Sequence, residues 1–512
     1  MREGREPPRP GVVQEQPRRL HAGGGEGGVA AEEAGPEHAR HPRRRSPRPA
    51  REEPQGEAGR EVDDDRPHRH RPQGRAAARG GPAGAASGDG GRDSPVHQVA
   101  AHRPRPARQL LPLPGGTRPQ DVARLRQALA RAVAEPGRGP LLLPLAPGEE
   151  QDGLLERAQD AISRRPDLAG RADLLLRTSG SSSGDASLIA MSAGALVASA
   201  RTTHARLGGP GTWVLALPAH HVAGLQVLLR GIVAGTRPRV LDTSAGFDPE
   251  GLADLLERAL GEDPGTPLYL SLVPTQLRRC LDIPCARRAL ARTTAVLVGG
   301  AATEAHLRER ARAAGVPVVT TYGMSETGGG CVYDGVALDG VGVRIEQPDA
   351  QGVGRIVLTG PVLAEGYLLA AGSTTSFRPA TAGGPPAVLT ADRGRLTDGR
   401  LHVLGRVDDV IVTGGVKVEP RQVEEALARI AGVAEACVVG VPDEQWGSAV
   451  VALVVPRAGA GLEPEAVRAT VRAVLDGAHT PKHVLVVEEL ALRGPGKVDR
   501  RAAGRLARER LR

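Results

Sequence analysis

The sequence predicts an α/β protein. A large N-terminal domain has parallel-containing sheets covered by helices and carries a β-rich subdomain, and a small mobile α+β domain follows at the C-terminus. Three observations lead there. From Leu174 onward, short apolar runs alternate with amphipathic segments of helical period, the pattern of βα units that build a parallel sheet with helices on both faces. Residues 331 to 405 switch to short strands and Gly-rich turns. Beyond Thr413-Gly414-Gly415, which reads as a break, helix and strand periods alternate again over about a hundred residues, enough for a separate small domain.

Residues 1–105 stand apart. Arg43-Arg44-Arg45, Asp63-Asp64-Asp65 and His68-Arg69-His70-Arg71 carry charge without apolar periodicity, so this segment cannot bury enough surface to offset its ordering entropy and reads as a disordered basic tail. A nucleic-acid arm would interleave aromatics for stacking, and none do; a solvated tail, or a start placed upstream of the true one, fits better. Order is expected from Gln109, with a helix over Val122–Val133 and a strand over Leu141–Pro144. Strands follow at Leu174–Leu176, Trp213–Leu217, Val240–Leu241, Leu268–Val273 and Ala295–Val298, with helices at Val222–Ile232, Gly251–Leu260 and Thr303–Ala314. In the last domain, Val423–Ile430 and Pro464–Leu475 read as helices and Ala436–Val441 and Ala449–Val455 as strands. The domains are therefore 1–105, 106–405 and 406–512, the last a small one for which the resemblance stated below implies the part of a lid.

With 512 residues the chain can bury a large core. Its 67 Lys+Arg against 59 Asp+Glu leave +8, an excess that an uneven tail accounts for without a nucleic-acid partner. Cys280, Cys285, Cys331 and Cys437 form no C-x-x-C pair and have no His cluster beside them, which argues for reduced thiols in a cytoplasmic protein rather than zinc or disulfides. No run of about 20 apolar residues could span a bilayer, and no apolar core of a signal peptide stands near the N-terminus.

Five motifs could carry chemistry. Thr178-Ser179-Gly180-Ser181-Ser182-Ser183-Gly184, placed after a strand and expected to precede a helix, could wrap backbone N–H groups and hydroxyls around phosphate; a flexible Ser/Gly turn has the same composition. Thr321-Tyr322-Gly323-Met324-Ser325-Glu326-Thr327, read as a loop after a strand over Val316–Val319, offers Glu326 to Mg²⁺ and Tyr322 to an adenine face. Asp392 could accept bonds from vicinal ribose hydroxyls, with Gly405-Arg406-Val407-Asp408-Asp409 following. Gly494-Pro495-Gly496-Lys497 sets a point charge on a turn, suited to an acyl phosphate, although it could equally begin a basic tail. His220-His221, at a strand-to-helix turn, could orient a carboxylate or cap the helix.

In this order and spacing, over roughly residues 109 to 505, the set resembles the adenylate-forming superfamily of acyl- and aryl-CoA synthetases, adenylation domains and luciferases. Leu217-Pro218-Ala219-His220-His221-Val222-Ala223-Gly224-Leu225 and Tyr322 through Gly335 are most similar in texture to the o-succinylbenzoate–CoA ligases that serve menaquinone synthesis. The resemblance implies ATP, Mg²⁺ and CoA as cosubstrates of a small-molecule carboxylic acid; a homodimer is compatible with it. It also implies roles. Thr178, Ser179, Gly180, Ser181, Ser182 and Gly184 would cover the phosphates. Gly299, Gly300 and Ala301 would line the adenine and acyl pocket, and Tyr322 and Gly323 would meet the adenine. Glu326 and Thr327 would hold Mg²⁺ and phosphate, and Asp392 and Arg406 the ribose. Asp408 would be the hinge and Lys497 would contact the carboxylate and α-phosphate. His221 would sit at the acyl pocket, walled by Gly329, Gly330 and Val332. Another acid, or a carrier protein in place of CoA, would use the same residues, and a non-catalytic adenylate binder could retain them. The chain departs from the family at Gly184-Asp185-Ala186-Ser187, where Gly-x-Pro-Lys is usual, so both the Pro and the basic residue of that turn are missing.

Overall fold

Alternation within the strands sets the layering. A computed structural model describes residues 108–148, 153–178, 187–370, 375–380, 383–492 and 496–512; the expected tail 1–105 lies outside them. In the strand Leu174–Arg177, Leu174 and Leu176 enter one core and Leu175 another; in Leu268–Leu272, Tyr269 points one way and Leu268, Leu270 and Leu272 the other. Strands buried on both faces read as unbroken apolar runs, which is why they stand out in the sequence.

Two sheets result. One runs Leu110–Pro114, Leu141–Leu145, Leu174–Arg177, Leu188–Met191, Gly366–Leu369; its first three strands are parallel and its last two antiparallel. The other is seven-stranded. Its parallel body comprises Arg239–Val240, Thr212–Leu215, Leu268–Leu272, Ala295–Val298 and Val318–Met324, and Gly329–Tyr333 and Val336–Ala337 fold back antiparallel. Helices Pro119–Ala134, Ala193–Leu207 and Val222–Ala234 fill the space between the sheets around Trp213, Leu215, Leu228 and Tyr269, and further helices cover both outer faces. An antiparallel sheet over 342–406 follows. Residues 411–510 build a three-stranded sheet with helices Pro420–Leu427, Pro464–Val474 and Arg500–Arg510 and cores on both of its faces. Cys280, Cys331 and Cys437 are buried and Cys285 is half-buried, all as free thiols. Among the described residues no helix is long and apolar enough to cross a membrane.

Three expectations change. The turn after Leu174–Arg177 does not lead into a helix. The chain returns as the strand Leu188–Met191, with Thr178 N donating to Ser187 O at 2.9 Å, because Leu188, Ile189, Ala190 and Met191 are all fully buried between layers. Helix Ala193–Leu207 begins only afterwards, capped by the Ser192 hydroxyl. The strand expected at Val316–Val319 runs instead over Val318–Met324, so Thr321 to Met324 are strand and not loop; the returning Gly329–Tyr333 pairs with them. Thr413-Gly414-Gly415 is a hairpin turn inside the small domain, with positive φ at Gly414 and Gly415, as tight hairpins require.

Candidate active site

The candidate residues gather around the carboxyl ends of the parallel strands Ala295–Val298 and Val318–Met324, the end of an open sheet at which ligands bind. Gly299-Gly300-Ala301 leave the end of Ala295–Val298. A Cβ on Gly299 would lie 2.2 Å from Thr321 Oγ1, so glycine there lets two strand ends close on each other. Gly300 and Ala301 are exposed at these strand ends, and a Cβ on Gly300 would lie 3.8 Å from Lys497 Cε. The small domain thus brings Lys497 to the large domain's strand ends. Its charge acts on both Asp392 and His221.

Tyr322 donates its hydroxyl to Asp392 Oδ2 at 2.8 Å, and Arg406 approaches Asp392 Oδ1 at 3.5 Å and Asp408 at 3.8 Å. Asp392 and Arg406 sit opposite each other on adjacent antiparallel strands. Burial pushes the Asp392 carboxyl above the usual range, against the pull of Arg406 and Tyr322; burial and the Asp392 charge push the Tyr322 phenol well up, so it stays protonated as the donor. The Tyr322 ring packs against the core around Cys331, Ile356 and Val388.

Glu326, 7% exposed, accepts a hydrogen bond from the Tyr367 hydroxyl and lies within the fields of Asp392 and Arg406. Burial raises its pKa and the Tyr367 bond lowers it, with burial winning. Thr327 is fully buried, and its hydroxyl is engaged within the turn: it accepts from Met324 N at 3.0 Å and donates to Gly329 O at 2.7 Å. It therefore closes its own turn between Met324 and Gly329.

His221 stands at the N-cap of helix Val222–Ala234, and its ring lies 4.3 Å from that of His220, which accepts from Gly116 N at 3.1 Å. Neither ring is a charge at neutral pH. Burial, then His221 and Arg177, hold His220 at about 3; burial, then Lys497 and Arg177, hold His221 at about 4. Gln226, on the same helix, donates to Gly328 O at 2.6 Å and packs on Gly329, whose φ of 111° suits glycine. Gly330 pairs with Gly323. Val332, expected in the pocket wall, is buried in the core with Ile356 and Leu358. Ser179, Gly180, Ser181, Ser182 and Gly184 lie outside the described residues; Thr178 stands at the strand end just before them.

Comparison with known proteins bears on this geometry. The family model for AMP-binding enzymes matches residues 134–368, and that for the AMP-binding enzyme C-terminal domain matches residues 422–497, ending on Lys497. A probable 2-succinylbenzoate–CoA ligase of Mycobacterium tuberculosis is 45% identical over 318 residues, covering 61% of this chain and 79% of that protein. The chain belongs to the adenylate-forming family of AMP-binding enzymes. Two solved structures share its fold. One is ATP-bound MatB from Rhodopseudomonas palustris, with a TM-score of 0.65 at 23% identity over 79% of this chain and 90% of that one. The other is o-succinylbenzoate CoA synthetase from Bacillus subtilis in complex with its acyl-adenylate intermediate, with a TM-score of 0.60 at 22% identity over the same shares.

Sequence reasoning missed several residues of this AMP-binding enzyme. Tyr367, which holds Glu326, sits in an unremarkable Glu-Gly-Tyr-Leu. Thr390 accepts from Asp392 N at 3.1 Å and fixes that residue's backbone. Arg230 did have a signal: it is the one charged residue of helix Val222–Ala234 and interrupts an apolar run. It is 3% exposed and lies 4.6 Å above the Trp213 ring, with Tyr333 Oη at 3.3 Å and Ser271 Oγ at 3.5 Å, and its buried Nε has no hydrogen-bond partner.

Proposed function

We propose that this enzyme is an ATP-dependent, AMP-forming 2-succinylbenzoate–CoA ligase acting in menaquinone biosynthesis in the cytoplasm, with Asp408 as the hinge of its small domain. One observation carries the chemical class: residues far apart in the chain, Tyr322, Glu326, Asp392, Arg406 and Lys497, meet at one crevice with the polarity that a nucleotide and a carboxylate demand. The relative from M. tuberculosis supports the acid. Arg230 supports it independently. Its guanidinium, 3% exposed, is held by the Trp213 ring and by the hydroxyls of Tyr333 and Ser271, none of which carries the negative charge that would balance it, and a substrate carboxylate would. Arg230 stands two turns along the helix that His221 begins, so it suits an acid with a second carboxylate remote from the one activated.

The first step joins a carboxylate oxygen to the α-phosphorus of ATP and breaks the bond to pyrophosphate. Both partners are anions, so the protein's task is positioning and charge neutralisation. Asp392, its carboxylate aimed by Tyr322 and Arg406, would accept bonds from the ribose hydroxyls. Lys497 would lie between the carboxylate and the α-phosphate and lower their repulsion. His221, kept neutral, can donate or accept one hydrogen bond at the acyl group without adding charge. Mg²⁺, when bound, would supply positive charge that offsets the anionic phosphates. Glu326 would hold it: its buried carboxylate, aimed by the Tyr367 hydroxyl, offers the hard oxygen donor that this ion takes. In the second step the CoA sulfur bonds to the acyl carbon and AMP departs with the electron pair of the broken C–O bond. Lys497 must then leave room for the thiol, which a rotation at Asp408 allows. All these residues come from one chain, so a homodimer is not needed to assemble them.

CoA-ester formation with 2-succinylbenzoate, run beside simple benzoates and fatty acids, tests the proposal. Preference for a monocarboxylate would overturn the substrate, and absence of AMP release with every acid would overturn the activity.

A further inference from the structure

The helix Pro274–Asp282 receives the small domain at two places. At its start, the turn carrying Lys497 packs against it: a Cβ on Gly496 would fall 2.6 Å from Thr275 Oγ1 and 2.7 Å from Val273 Cγ2. One turn on, Arg278 donates to the carbonyl of Ala434, in the small-domain strand Val433–Asp443, and to Glu304 Oε2 of the large domain at 3.1 Å. Glu304 is held in turn by His306 Nδ1 at 3.2 Å. Glu424 and Glu425 of the small domain add like charge near Glu304. Glu424 and Glu425 are themselves paired with Arg500 and Arg421, so Arg278 makes a bond across the domain boundary and offsets the repulsion that remains between them and Glu304.

We infer that Arg278 is a positioning residue for adenylation: by latching Ala434 to the large domain and neutralising Glu304 against Glu424 and Glu425, it holds the small domain where Lys497 meets the strand ends. The inference rests on the ligase reading for its catalytic consequence. The latch is not needed once the acyl-adenylate exists, and must open for the thiol.

The test compares Arg278→Ala, Arg278→Lys and the double variant Arg278→Ala/Glu304→Gln in the full chain. Three quantities are read: ATP–pyrophosphate exchange, thioester formation from supplied acyl-adenylate, and amide hydrogen exchange of residues 496–499 in the protein without substrates. Arg278→Ala should slow exchange of pyrophosphate roughly tenfold, the scale of a lost charged hydrogen bond. It should leave thioester formation equal or faster and speed amide exchange at 496–499. Arg278→Lys and the double variant should each recover part of the loss, the latter because the repulsion is gone. Equal slowing of both half-reactions with a lowered Tm, or no change in either exchange, overturns the latch. Faster amide exchange in Arg278→Ala, in a protein that turns over no acid, would support the latch while the ligase reading fails.

Discussion

The two walls of the crevice are built differently. The large-domain wall is buried and fixed. Asp392 is held by Tyr322, Arg406 and Thr390, and Glu326 by Tyr367, so their carboxylates cannot re-aim without breaking hydrogen bonds. The small-domain wall is a single lysine following Gly496, whose φ of 70° turns the chain at this point. Groups that serve the nucleotide in both steps can be rigid, because preorganisation costs nothing when the ligand stays. A charge wanted in one step and obstructive in the next is better carried on an element that withdraws.

That contrast can be broken experimentally. The largest effect is expected for Lys497→Ala: adenylation should fall by roughly 100-fold or more, comparable to losing a transition-state donor, while thioester formation from supplied acyl-adenylate persists. Equal loss of both steps would place Lys497 with the fixed wall. Next, Arg230→Leu should raise the KM for 2-succinylbenzoate by roughly 30-fold or more, the scale of truncating one partner of a buried charge pair, with little change for an unsubstituted benzoate. A uniform change across acids would remove Arg230 from the substrate pocket. Tyr367→Phe should have a smaller effect, about tenfold in kcat/KM. Because the Tyr367 bond lowers the Glu326 pKa, its loss raises that pKa further, so the Mg²⁺ concentration for half-maximal rate should climb most on the acid side of neutrality.

The smallest effect concerns stability. His220 and His221 are held at about 3 and about 4 against an ordinary 6.5, so between those values the unfolded chain takes up protons that the folded chain refuses. Their contribution is fully present above about pH 6.5 and is lost as pH falls toward 4. The raised carboxyls of Glu326 and Asp392 act in the opposite sense. The Tm of wild type should therefore fall more steeply from pH 6.5 to 4 than that of His220→Gln/His221→Gln. Parallel curves would mean the two rings are not desolvated.

Legibility followed sequence distance. The strand Ala295–Val298 and the helix beginning at Val222 were readable because periodicity is local. The element after residues 178–184 was misread as a helix because Leu188–Met191 is too short a run for its period to settle the choice, and only its pairing with Leu174–Arg177 makes it a strand. Thr327 has the residue type of a phosphate ligand, yet its hydroxyl closes its own turn. Tyr367 reaches Glu326 across 41 residues, Arg230 reaches Tyr333 across 103, and Arg278 reaches Ala434 across 156; no local pattern records such pairs.

By itself, the sequence determined the alternation of elements and the kinds of side chain offered at each strand end, because hydrophobic period and residue chemistry are properties of short segments. The tertiary structure alone decided which of those side chains share a crevice, which are bound to their own turn or core, and where the lysine of one domain meets the carboxylates of another. Those are questions of distance and burial, set by how sheets and helices pack and not by any segment's own preference.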